Sequence, residues 1–205
     1  MANAWLLTER QRLIETYLRC AANFYGHITP RAFLVLFNRY NDQKLLKAEL
    51  MKYCNKLMRQ YPRDYVLFDN AVVSTRVESE KIDEIIYYQG AKKYYIPSKE
   101  DLMKYLDNNY YENTEYTEAL REFLVTSFHL NMFSAESLVR KISWLIRIEE
   151  PTSTQAQLFS EHGIVSENMD QLNELLLRLQ NLNNNTRKWA NCGYTPTEMF
   201  FNSTN

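Results

Sequence analysis

Glycine and proline are scarce in this chain, 4 and 5 among 205 residues. That excludes a sandwich or barrel, which needs a turn signal every few residues, and leaves helices as the main element. Cysteine is scarcer still. Cys20, Cys54 and Cys192 are odd in number and far apart, so they offer neither a disulfide framework nor a paired-thiol zinc site. No apolar run approaches the roughly 20 residues of a membrane span, and the first ten residues lack the basic and apolar regions of a signal peptide. The expectation is a soluble, cytoplasmic protein that binds no metal. What the chain has in quantity is apolar and aromatic material, 45% and 14%, ample for a core.

Three histidines, His27, His129 and His162, stand apart, each next to a glycine or at the end of an apolar helical pattern. A histidine there favours the helix dipole and reads as a cap. No glycine-rich phosphate loop, Gly-x-Ser-x-Gly elbow or His-Glu-x-x-His helix occurs. The sequence therefore names no catalytic residue, no metal ligand and no cofactor, and the expected function is non-enzymatic.

The net charge of −1 conceals an asymmetry. Residues 1–70 hold 11 Lys and Arg against 6 Asp and Glu, and the remainder 13 against 19. A basic N-terminal part attracts anionic partners, whether nucleic acid or an acidic protein surface.

Residues 8–75 read as three helices followed by a hairpin, the order of a winged helix. Thr8 and Gln11 form a capping box before Leu13, Ile14, Tyr17, Leu18 and Ala21, and Gly26 ends that helix. Thr29-Pro30 opens the second, whose apolar face is Phe33, Leu34, Leu36, Phe37 and Tyr40. Asn41 and Asp42 are expected to open a third that runs to about Gln60, apolar at Leu46, Leu50, Tyr53, Cys54 and Leu57 and basic at Lys44, Lys52 and Arg59. Tyr65–Phe68 and Ala71–Ser74 are β-favouring runs joined by Asp69-Asn70, the candidate wing. Beyond residue 77 the pattern is a helical array, with Ser98, Thr114, Ser134, Thr152 and Ser166 as expected N-caps. The fold expectation is mostly α: a winged-helix-like unit of three helices plus hairpin, residues 1–77, packed on a C-terminal helical domain, residues 78–205. That domain ends in a Trp-anchored tail and a short helix.

The tail carries the most specific wording. Asn184-Asn-Thr-Arg-Lys-Trp189 is followed by Asn191-Cys-Gly-Tyr-Thr-Pro-Thr-Glu198, in which Thr195 caps and Glu198 answers. With Asn23-Phe-Tyr-Gly26 and Tyr95-Ile-Pro-Ser-Lys-Glu-Asp-Leu102, it resembles, over nearly the whole chain, a group of uncharacterised proteins of Gram-positive bacteria and their mobile elements. Many of those continue into a SEC-C zinc knuckle. The knuckle cysteines do not follow here, so the zinc-dependent adaptor role that the resemblance implies is expected to be absent. Arg187 to Phe200 also looks like the ending of DDE-type transposases, but the strand series that would carry their metal-binding carboxylates is missing.

Two functional readings follow. The first is a regulator that engages another protein, including a mobile-element (phage) factor that inhibits a host system. Tyr88, Tyr94, Tyr110, Tyr111 and Trp189 are its candidate interface, since aromatic rings contribute large contact area with few rotatable bonds. The alternative is a winged-helix DNA-binding transcriptional regulator. Lys44, Lys47, Lys52, Lys56, Arg59 and Arg63 are the candidates for a nucleic-acid or acidic partner. Convergence of these cations, with Arg31 and Arg39, on one stripe beside the wing would favour DNA.

Overall fold

The computed structural model describes residues 7–57, 64–68 and 71–203. The fold is mostly α, with ten helices and one small antiparallel sheet among the described residues. It divides into two compact units between Tyr110 and Tyr111.

The first unit follows the winged-helix order. α1 (Glu9–Tyr25) leads through β1 (His27–Ile28) to α2 (Pro30–Tyr40) and α3 (Lys47–Leu57), and then to β2 (Tyr65–Phe68) and β3 (Ala71–Ser74). β3 lies between β1 and β2, both antiparallel to it, with His27 opposite Val73 and Val66 opposite the same residue. The capping box of Thr8 and Gln11 and the stop at Gly26, φ 70°, form as the sequence predicts. β1 was not legible: two residues are too few to show an alternation. The turn residues Asp69 and Asn70 lie outside the described residues.

α1 is the spine of this unit. Tyr17, Leu18, Cys20 to Ala22, Phe24 and Tyr25 are all buried, against Phe33, Leu36 and Phe37 of α2 and Leu50, Tyr53 and Cys54 of α3. Leu18, Phe33, Phe37 and Leu50 share one core, as expected; the side chain of Leu57 lies outside the described residues.

Two sequence expectations change here. Asn41 does not open α3 but ends α2, its side chain donating to the Phe37 carbonyl at 2.8 Å. Residues 41–46 then form a loop held by Asn38, which accepts from the Leu45 amide (2.7 Å) and donates to its carbonyl (3.1 Å), so Leu45 turns into the core. Leu46, expected on the apolar face of α3, precedes the helix and is 69% exposed.

The first unit also extends past residue 77. α4 (Ser79–Gln89) contributes Gln89, and α5 (Lys99–Lys104) packs on α1 through Leu102. Tyr105 tilts against Phe24 at 4.6 Å, and Asn23 donates to the Tyr105 carbonyl and to Asn108 Oδ1, both at 2.8 Å. Residues 78–110, grouped with the second half on sequence, therefore complete the first core.

The second unit is built on α6 (Glu115–Phe128), α7 (Met132–Arg147) and α9 (Met169–Asn185), with α8 (Thr152–Glu161) against α7. Leu120, Leu124, Leu138, Val139, Ile142 and Ile146 form its centre. Ser98 and Thr114 cap as predicted, but three caps fall elsewhere: Asn131 rather than Ser134 starts α7, Pro151 rather than Thr152 precedes α8, and Asn168 rather than Ser166 starts α9. The asparagine-rich stretch 181–185 is helical and ends α9 at Asn185. After it, Cys192 (φ 53°) and Gly193 (φ 86°) close a turn that returns the Gly193 amide to the Lys188 carbonyl at 3.0 Å. The predicted capping box of Thr195 and Glu198 then starts α10 (Pro196–Ser203).

Candidate functional site

On α2, Arg31, Leu34, Val35 and Asn38 stand at successive three- and four-residue steps, which places them along one side of the helix. The opposite side, Phe33, Leu36 and Phe37, is committed to the core. Thr29, Pro30 and Lys47, the first residue of α3, complete an open groove of about 630 Å³. Its apolar part is Pro30, Leu34 and Val35, with Val35 56% exposed; Arg31 and Lys47 are the two cations. Neither cation has an ion-pair partner among the described residues, and no acidic residue lines the groove. The N-terminus of α2, capped by Thr29, adds the positive end of a helix dipole.

The position of Lys47 is fixed from behind. Arg10 of α1 pairs with Glu49 of α3 at 3.1 Å, donates to the carbonyls of Gln43 (2.9 Å) and Lys44 (3.0 Å), and lies 5.2 Å from the Phe37 ring centroid. One guanidinium therefore ties α1, the 41–46 loop, α2 and α3 together. It also neutralises the acid on α3, so the free charge presented by the start of α3 is positive.

The other predicted cations divide three ways. Lys44 sits on the loop, not on α3, and its ammonium donates to the carbonyls of Asn38 (2.7 Å) and Asn41 (3.0 Å), where it stabilises the end of α2. Lys52 is exposed on α3, and Arg39 is exposed on α2. Lys56, Arg59 and Arg63 lie outside the residues whose side chains are described.

The aromatic candidates are mostly structural. Trp189 was expected at an interface and is fully enclosed. It stacks edge-on against Trp144 at 5.2 Å, and its amide donates to the Arg147 carbonyl at 3.1 Å. A bulky ring next to a glycine turn reads equally well as anchor or contact from sequence; burial decides for the anchor. Tyr94 is half-buried, its hydroxyl on Gln89 (3.2 Å) and its ring edge-on to Tyr25. Tyr110 packs edge-on to Tyr105. Tyr111 donates a short hydrogen bond to Glu136, which Arg121 also holds at 2.8 Å. Burial and that carboxylate push the Tyr111 hydroxyl up to about 12, while the tyrosine bond chiefly holds Glu136 below its usual range. Only Tyr88, 52% exposed and edge-on to its exposed neighbour Tyr87, is free to meet a partner.

Arg31 was legible as a cation, but Leu34 and Val35 as a groove floor were not. Val35 stands outside the core-facing pattern of α2, and that misfit is the one available signal. Among the described residues no three His, Cys, Asp or Glu side chains gather as a metal site requires, and no helix is long and apolar enough to cross a membrane. Compared with known proteins, the chain matches no family model, no curated protein and no solved structure.

Proposed function

We propose that this is a non-enzymatic, partner-binding regulator whose winged-helix-like unit takes an acidic, apolar-anchored segment of another protein in the α2–α3 groove. The observation that carries this reading is the pairing of an apolar floor, half-buried Leu34 and exposed Val35, with two cations that have no partner of their own, Arg31 and Lys47. A protein side chain can dehydrate the floor while a neighbouring carboxylate meets the cations; a sugar-phosphate backbone satisfies only the second requirement. A regulator of this kind includes a mobile-element factor that blocks a host system. Three free, buried thiols suit a reducing compartment such as the cytoplasm.

The test is titration of the full chain with a synthetic amphipathic peptide of Leu and Glu and with its Lys counterpart. The Glu peptide should bind in a salt-sensitive manner, and Arg31→Glu with Lys47→Glu should remove binding while leaving the circular dichroism unchanged. Absence of Glu-peptide binding, or Glu-peptide binding indifferent to the two substitutions, would refute the reading.

A second reading rests on the strand order β1-β3-β2, a sheet packed on α1, with Lys47 and Lys52 exposed on α3. In this arrangement α3 is the element that enters a DNA major groove. Three phosphate contacts, by Arg31, Lys47 and Lys52, would give a slope of log affinity against log salt of about −3. Gel-shift titration over a salt series measures it.

A further inference from the structure

One end of the second unit exposes apolar side chains with no core to account for them. α9 runs antiparallel to α6: Gln171 donates to the Ser127 carbonyl at 2.8 Å and Arg178 to the Ala119 carbonyl at 3.2 Å. The start of α9 therefore lies beside the end of α6, and α7 begins only a few residues after that end. Asn131 caps α7 by accepting from the Ser134 amide at 2.8 Å, which makes Met132 and Phe133 its first two residues. The buried face of α7 begins at Ala135, so both precede the core. Phe133 is 81% exposed, and Met132, Met169 at the start of α9, and Val165 just before it are each more than half exposed. Four large apolar side chains at one end of a bundle are more than isolated surface residues, and such patches mark contact surfaces.

The charged residues nearest them along the chain, Glu136, Glu167 and Asp170, are all acidic. Glu167 and Asp170 are exposed and have no ion-pair partner among the described residues. Asp170 is in the first turn of α9, where the helix dipole favours a carboxylate, but Glu167 lies outside the helix and has no such reason to be acidic. The second unit as a whole carries 7 Lys and Arg against 12 Asp and Glu. An anionic membrane surface would be repelled, and a small molecule would find no enclosing walls among side chains this exposed.

We infer that this end of the second unit is a docking surface for a basic protein segment, one that sets an apolar anchor against Phe133 and Met169 and a Lys or Arg against Glu167 and Asp170. It is opposite in charge to the α2–α3 groove and uses none of its residues, so the chain has two surfaces suited to partners of opposite sign.

The same pair of synthetic peptides tests it by isothermal titration of the full chain. The Leu and Lys peptide should bind one per chain. Phe133→Ser and Asp170→Lys should each weaken it at least about tenfold, a loss of about 1.4 kcal/mol. Arg31→Glu, in the groove, should leave it unchanged. Both unit-2 positions are exposed, so the variants should keep the wild-type circular dichroism. Absence of Lys-peptide binding, or its indifference to Phe133→Ser or to Asp170→Lys, would overturn the inference. So would concentration-dependent dimerisation of the wild-type chain that Phe133→Ser abolishes, because the occupant would then be a second copy.

Discussion

Arg187 and Glu198 form a two-pronged ion pair, Nη1 to Oε2 at 2.9 Å and Nη2 to Oε1 at 3.1 Å, across the turn that holds Trp189. The same guanidinium donates from Nε to Glu112 at 3.1 Å and from Nη1 to the Gly193 carbonyl at 3.0 Å. Glu198 in turn accepts from the Thr195 amide, so one carboxylate serves both the ion pair and the cap of α10. The planar fork of arginine suits this geometry, and a lysine would keep the charge but lose the second prong.

Replacing Arg187 by Ala should lower stability by about 1 to 3 kcal/mol, since it strips charged hydrogen bonds from partly buried partners. Arg187→Lys should recover only part of that. In a double-mutant cycle with Glu198→Gln, a coupling under about 0.5 kcal/mol would show that the two act independently. Urea denaturation supplies all the values.

Leu50 is buried in the core shared by α1, α2 and α3. Leu50→Ala should cost about 2 to 5 kcal/mol through lost transfer energy and the cavity left behind. Leu46→Ala, four residues earlier on an exposed loop position, should cost under about 0.5 kcal/mol. Similar losses at the two positions would contradict the start of α3 at Lys47.

His27 gives stability a pH dependence. Its Nδ1 lies 2.7 Å from Gln89 Oε1, while Gln89 Nε2 donates to the carbonyls of Tyr25 (3.1 Å) and His27 (3.2 Å). The amide oxygen must accept, so Nδ1 carries the proton. Burial pushes the imidazole below its ordinary value of 6.5, against a smaller opposing effect of the Gln89 bond. Between the folded and unfolded values the unfolded chain binds more protons, so stability rises with pH there. The contribution is complete above about pH 6.5 and declines as pH falls below it. Melting temperatures of the wild type and His27→Gln measured from pH 7.5 down to 5 should converge as the wild type loses this term; parallel curves would count against it.

The thiols of Cys20 and Cys54 are pushed by burial up to about 12 and about 11. Since the thiolate is the reactive form, neither should react with a thiol reagent in the folded chain at neutral pH, and both should react in denaturant. Rapid native labelling of either, located by mass spectrometry, would show that the first core opens readily.

Local signals in the sequence determined most element ends that a single side chain can enforce. The capping boxes of Thr8 and Thr195, the Thr29-Pro30 start and the stop at Gly26 depend on contacts within four residues, and all form as predicted. The hairpin strands follow from their own β-branched and aromatic residues. Tertiary structure decided the rest. Asn41 is an equally good residue to open one helix or to end another, and the bracket that Asn38 places on Leu45, 7 residues away, chose the second. Residues 78–110 join the first core because Asn23, 82 residues before Tyr105, finds its partner there. Trp189 and Tyr88 carry similar chemistry in the sequence, yet one is enclosed and the other exposed, because burial depends on which helices meet. The groove of Arg31, Val35 and Lys47 belongs to the same class: its cations were legible, but Lys47 faces the apolar floor on α2 only once α3 has packed there.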